Sequence, residues 1–68
     1  MPSGVVKWFD SDQGVGMICQ GRDQPEVLAE LSAVRGPARR LVQGDRVLFD
    51  ITFDAAGRRA DNIHRLPD

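Results

Sequence analysis

Residues 46–53 alternate regularly between two kinds of side chain, and this alternation constrains the fold more than any other part of the chain. One set is apolar and comprises Val47, Phe49, Ile51 and Phe53, and the mostly polar set between them comprises Arg46, Leu48, Asp50 and Thr52. A period of two residues places the sets on opposite faces of a β-strand. The segment is therefore predicted to be a half-buried strand with its apolar set facing the core.

Turn-forming residues separate four further short segments that also predict strands. In chain order the five predicted strands cover residues 5–10, 15–19, 26–30, 46–53 and 59–66. Five short strands at this spacing suggest a small closed barrel. Residues 27–34 have a competing interpretation, because their apolar positions also fit a helix of about two turns that Gly36 and Pro37 would end.

The length of 68 residues allows one domain, residues 1–68, with a single small core. Cys19 is the only cysteine and His64 the only histidine, so the sequence predicts neither an internal disulfide nor a metal site, and we expect no cofactor. A single cysteine suits a reducing cytoplasmic location. No apolar run approaches the roughly 20 residues that span a bilayer, and the N-terminus lacks the layout of a signal peptide.

The sequence contains no residue pattern that predicts catalysis, and its net charge does not predict strong binding to polyanions. Cys19 and the three serines lack a spaced partner that would make a nucleophile and base pair with His64. The glycines at 14 and 16 enter a strand and do not form a phosphate-cradling loop. We therefore expect no enzymatic activity. The formal net charge of -1 gives no overall attraction to nucleic acid.

Five motifs, taken in order, resemble the landmarks of the cold-shock domain family. They are GVVKWFD (residues 4–10), QGVGMI (13–18), LSAV (31–34), GDRVLFD (44–50) and GRRADNI (57–63). The resemblance covers nearly the whole chain, and its most specific part is the opening strand. It implies an all-β fold, a five-stranded antiparallel OB-type barrel whose first three strands bind single-stranded RNA or DNA. It also favours a strand over a helix at residues 26–30.

The expected contact surface departs from the family pattern. In the family, the second strand usually carries two aromatic residues separated by glycine, and the third carries an aromatic residue and a histidine. Here Val15 and Met17 occupy the first pair, and Leu28 and Glu30 occupy the second. Strand alternation supports the same geometry, because Val15 and Met17 share one face of the second strand and Leu28 and Glu30 share one face of the third. Because each stacked base contributes about 1 to 3 kcal/mol, and because Glu30 repels phosphate, we expect weak or selective binding.

The remaining candidate contacts are Trp8, Phe9, Lys7 and a group of arginines. Trp8 offers one stacking platform, and Phe9 a second only if a bulge or strong twist overrides the alternation that separates them. Lys7 is a predicted phosphate contact. The arginines predicted to pair with phosphate or stack on bases are Arg39, Arg40, Arg58 and Arg59. In the competing interpretation Trp8 covers the barrel and the arginines serve solubility.

A second function remains open at this point. Val15, Met17 and Leu28 form an apolar patch that contains an adaptable methionine, as protein-binding surfaces often do. A barrel that no longer binds nucleic acid would use this patch to contact a protein partner or to form a homodimer.

Overall fold

The computed structural model describes residues 2–36 and 40–67. Its elements are β1 (Ser3–Asp10), β2 (Val15–Cys19), β3 (Val27–Glu30), a 3-10 helix (Leu31–Ala33), β4 (Arg46–Asp54) and β5 (Gly57–Arg65). The strands close into a barrel in the order β1-β2-β3-β5-β4, which confirms the predicted all-β, five-stranded fold. In the part of the chain that is described, β3 and β5 pair in parallel and the other neighbours are antiparallel. No helix there is long and apolar enough to cross a membrane.

The helix considered for residues 27–34 does not form. Residues 27–30 are the strand β3, and only one short 3-10 turn, Leu31–Ala33, follows it. Pairing with β2 on one side and β5 on the other gives the β3 backbone its hydrogen bonds, so barrel closure overrides the local helical propensity.

The core is formed by buried apolar side chains from all five strands and from the segments that follow β3. Its members are Val6, Ile18, Val27, Ala29, Ala33, Val34, Leu41, Val47, Phe49, Ala60 and Ile63. Along β4, Val47 and Phe49 are fully buried and Ile51 is half-buried, as the alternation predicts. Phe53 is 73% exposed, so its predicted place facing the core is wrong. The register of β4 with β1 ends at Leu48, and the rest of β4 continues with β5 alone as a two-stranded hairpin.

A bulge in β1 decides which aromatic side chain faces outward. Val6 is the Cα partner of Ile18 and Trp8 is the partner of Met17, so Lys7 is an extra residue in β1. An extra residue reverses the faces of the side chains that follow it. Val6, before the bulge, is buried; after it, Trp8 is consequently 43% exposed and Phe9 packs partly buried against the core. The bulge therefore exposes Trp8 but leaves Phe9 on the opposite face.

The turn between β1 and β2 is closed by the side chain of Asp10. Its Oδ1 atom accepts hydrogen bonds from the backbone N–H groups of Asp12 at 3.0 Å and Gln13 at 3.2 Å. Gly14 completes the turn with a φ of 72°, a conformation that glycine adopts without steric cost. The carboxylate of Asp10 thus has a structural role, which fixes the start of β2 beside the end of β1.

Candidate functional site

A continuous row of side chains crosses four strands on the outer surface of the barrel. Trp8 on β1 is the partner of Met17 on β2, Met17 is the partner of Leu28 on β3, and Leu28 is the partner of Arg59 on β5. All four residues are exposed or half-buried. With neighbouring strands about 4.8 Å apart, the row measures about 14 Å along the curved surface. We call Trp8, Met17, Leu28 and Arg59 the outer row.

The outer face predicted from alternation in β2 and β3 is confirmed by their register. Val15 lies opposite Glu30 and Met17 lies opposite Leu28, and all four are half-buried. The residues that alternate with them along β2 and β3 are buried, namely Gly16, Ile18, Val27 and Ala29. The β2–β3 pairing has no irregularity, so the period of two holds throughout. That these outward residues contact a ligand remains a prediction.

Phe9 is held against the barrel by its neighbour on β2. It is the Cα partner of Gly16, and a Cβ atom built on Gly16 would lie 2.6 Å from Phe9 Cδ1. The absence of a side chain at position 16 is therefore what lets the Phe9 ring lie close to the strand. Of the two aromatic residues in β1, Trp8 presents the larger free surface and Phe9 serves mainly in packing.

Lys7 forms an ion pair and hydrogen bond with Glu26, the residue just before β3. The hydrogen bond to this carboxylate, followed by its charge, raises the pKa of Lys7 above its ordinary value. Both side chains remain exposed to solvent. The predicted phosphate contact is therefore present at the surface, but its positive charge already has a carboxylate partner.

Glu30 is likewise compensated by a partner on a neighbouring strand. Its Oε1 atom lies 3.4 Å from Arg59 Nη1, and the same Nη1 atom lies 3.7 Å from Asp54 Oδ2. Arg59 thus stands between two carboxylates at one end of the outer row. The sequence predicts that Glu30 repels an approaching phosphate, and the guanidinium group of Arg59 offsets part of that negative charge.

Arg58 and Arg40 are not members of the outer row. Arg58 places its guanidinium carbon 5.7 Å from the centre of the Phe53 ring, a cation–π contact on the β4–β5 hairpin. Arg40 is exposed in the loop that precedes β4. Arg39 lies outside the described residues. The structure therefore brings Lys7, Trp8, Val15, Met17, Leu28, Glu30 and Arg59 together on one surface.

Sequence reasoning missed Phe53 as a surface aromatic residue. The signal that identifies it is its distance from the turn, because Phe53 lies one residue before Asp54, which pairs with Gly57 at the end of the hairpin. A side chain so close to a hairpin turn often lies beyond the packed core even when the alternation points it inward.

A groove of about 450 Å³ continues the outer surface beyond the bulge. Val5, Lys7, Cys19 and Arg46 are among the residues that line it, and Val5 lies directly opposite Cys19. The groove therefore joins the Lys7 side of the outer face to a second cation, Arg46.

Comparison with known proteins gives one consistent family. Residues 2–66 match the model of the 'Cold-shock' DNA-binding domain. Cold shock protein ScoF of Streptomyces coelicolor is 44% identical over 64 residues, which cover 93% of this chain and 96% of that protein. Cold shock protein CspA of Rhizobium meliloti is 41% identical over 66 residues, with the same two coverages of 93% and 96%.

A solved structure, drosophila Unr CSD456, shares the fold. It superposes with a TM-score of 0.79 at 20% sequence identity. The match covers 97% of this chain and 26% of the Drosophila chain. The similarity therefore concerns one barrel within a longer protein.

Proposed function

The chain belongs to the cold-shock domain family, and from this membership we propose that it is a non-catalytic protein that binds single-stranded RNA or DNA weakly or selectively. The binding surface is the outer face of β1, β2 and β3. One observation carries the proposal: the bulge at Lys7 turns Trp8 outward, directly beside Met17, which is itself paired with Leu28 on the next strand. An exposed ring beside apolar side chains is a platform on which an unpaired base can stack.

The expected affinity is modest because a single ring dominates the surface. One aromatic stack contributes about 1 to 3 kcal/mol, which corresponds to about 5- to 150-fold in the dissociation constant. Val15, Met17 and Leu28 offer apolar contact, and methionine adapts its shape, but none of them presents a flat π-system. The outer face therefore supports binding in which Trp8 contributes the largest share.

The charges on this surface also favour modest affinity. A phosphate that approaches Lys7 must replace the carboxylate of Glu26, and one that approaches Arg59 competes with Glu30 and Asp54. Each phosphate neutralised on a single strand contributes a slope of about -0.7 to the salt dependence of binding. With one or two net contacts, we expect affinity to fall only slowly as salt is added.

The test is a titration of fluorescently labelled RNA and DNA heptanucleotides at low and moderate salt, followed by anisotropy. Trp8→Ala is expected to weaken binding by at least about 5-fold. Val42→Ala is the matched control, because Val42 is also an exposed apolar residue, at 47%, and lies in the loop before β4. Wild-type protein that binds no oligonucleotide at high micromolar concentration and low salt would contradict the proposal.

A second candidate function is protein contact through the patch of Val15, Met17 and Leu28. The observation that favours it is the direct cross-strand pairing of Met17 with Leu28, which supports a continuous apolar surface. Sedimentation at several concentrations, with Met17→Glu as the probe, tests the homodimer form. A wild-type monomer at every concentration would remove it.

We also propose that the protein acts in the cytoplasm. Cys19 is a free thiol, and free thiols persist in reducing compartments.

A further inference from the structure

The Glu30 and Arg59 side chains place a hydrogen-bond acceptor and a donor side by side at the border of the apolar patch. Glu30 Oε1 and Arg59 Nη1 are 3.4 Å apart, and the two side chains are 37% and 39% exposed. Glu30 lies opposite Val15, and Arg59 is the partner of Leu28. A base that packs on Val15 and Leu28 therefore brings its edge toward both charged groups.

Asp54 allows this pair to open without leaving Arg59 uncompensated. It lies 3.7 Å from the same Arg59 nitrogen that contacts Glu30. When the Glu30 carboxylate turns toward a ligand, Arg59 keeps Asp54 as a partner. Glu30 is thus the member of the cluster that can exchange its ion pair for hydrogen bonds to a ligand.

We propose that Glu30 is a specificity-determining residue that selects guanine, with Arg59 as its second contact to the base. The inference rests on the proposed nucleic-acid binding and adds the base that is preferred. An ionised carboxylate accepts two parallel hydrogen bonds, and the Watson–Crick edge of guanine offers two adjacent donors, N1–H and the N2 amino group. The neighbouring O6 atom accepts from the guanidinium group of Arg59.

The other bases match this arrangement less well. Cytosine and adenine each offer an amino group beside a ring nitrogen that is itself an acceptor, so one carboxylate oxygen gains a donor and the other does not. Uracil and thymine offer a single N3–H between two carbonyl oxygens, which repel the carboxylate. The expected order of affinity is guanine first, cytosine and adenine next, and uracil or thymine last.

Because the outer face lacks most of the family's aromatic residues, hydrogen bonds to the base edge should contribute more to base selectivity than they do on an aromatic surface. Stacking on aromatic rings tolerates every base, because each base has a π-face. This outer face carries Val15, Met17 and Leu28 in place of rings, so non-selective stacking is reduced. Hydrogen bonds from Glu30 and Arg59 then account for a larger share of the binding free energy.

The experiment compares uracil heptanucleotides that carry guanine, inosine or uracil at the central position, with affinities read from anisotropy. Guanine is expected to bind about 10-fold more tightly than uracil, on the scale of one bidentate contact. Inosine lacks the N2 amino group and is expected to fall between the two. Glu30→Gln is expected to remove the guanine preference, because the amide replaces one acceptor oxygen with a donor.

Glu26→Gln is the matched control, since it removes a carboxylate from the same surface without touching Arg59. It should change the affinity for all oligonucleotides by a similar factor and keep their order. Equal binding of the guanine and uracil oligonucleotides, or a guanine preference that survives Glu30→Gln, would overturn the assignment of Glu30 alone. Wild-type protein that binds none of them would contradict the proposed function and this assignment together.

Discussion

Lys7 and Glu26 form an ion pair that joins the bulge of β1 to the residue immediately before β3. The bulge and the ion pair have opposite expected effects on the affinity of the proposed binding surface. The bulge exposes Trp8 for stacking, whereas the pair occupies the nearest cation with a carboxylate of the protein itself. In the proposed binding, Glu26 therefore competes with phosphate for Lys7 and limits the affinity.

Glu26→Gln is expected to strengthen oligonucleotide binding, because it frees the Lys7 ammonium group for phosphate. An exposed ion pair is worth about 0.2 to 1 kcal/mol, so the gain should be at most about 5-fold in the dissociation constant. Asp23→Asn makes the same change of charge in the exposed β2–β3 loop and controls for net charge. Equal increases in affinity in the two variants, measured by anisotropy, would show that the ion pair with Glu26 does not limit phosphate binding by Lys7.

The pKa of Lys7 should be lower in Glu26→Gln than in the wild type, because the carboxylate both accepts its hydrogen bond and attracts its charge. A pKa raised by folding gives stability that is complete below the ordinary lysine pKa of about 10.4 and is lost as the pH rises through the folded value. NMR titration of the Lys7 side chain measures the shift. The free energy of unfolding, measured with denaturant at a series of alkaline pH values, should fall more steeply with rising pH for the wild type than for Glu26→Gln.

Met17→Phe should restore a ring between Trp8 and Leu28 in the outer row. The expected gain is that of one base stack, about 1 to 3 kcal/mol or about 5- to 150-fold in affinity. Met17 is half-buried on the outside of the barrel, so the larger side chain has room to turn toward solvent. Met17→Leu keeps the position apolar without a ring, and a phenylalanine variant that binds no better than this leucine variant would argue against base contact at Met17.

Phe49 and Phe53 belong to the same alternating set but should respond very differently to truncation. Phe49 is fully buried, and its replacement by alanine is expected to cost about 3 to 5 kcal/mol, enough to abolish much of the folded population of a small domain. Phe53 is exposed and contacts Arg58, so Phe53→Ala should cost at most about 1 kcal/mol. Thermal and denaturant unfolding of both variants give the comparison; a large loss in Phe53→Ala would mean that its ring is packed.

The part of the site that could be predicted from sequence is the part built on regular strands. Alternation puts Val15 with Met17 and Leu28 with Glu30 on one face of their strands, and β2 and β3 pair without any shift of register. In such strands the period of two fixes the orientation of every side chain. The turn residues that bracket these strands were visible for the same reason, since their conformational needs are local.

The remaining features depend on the register between strands and on where each pairing ends, and neither can be predicted from the sequence of one strand. Alternation tells which side of β4 Phe53 occupies, but not that the pairing with β1 stops at Leu48. Nothing in the residues around Lys7 marks the bulge that turns Trp8 outward. The contact of Arg59 with Glu30 exists because β5 lies parallel beside β3, a relationship set by closure of the whole barrel.

Closure by β5 also has a consequence for synthesis of the chain. β5 supplies the neighbour of both β3 and β4, so until Gly57–Arg65 has emerged from the ribosome these two strands each leave an unpaired edge. Exposed strand edges are templates for pairing with other chains. A product of translation that stops before β5 is therefore expected to aggregate or be degraded, although four of the five strands are already present.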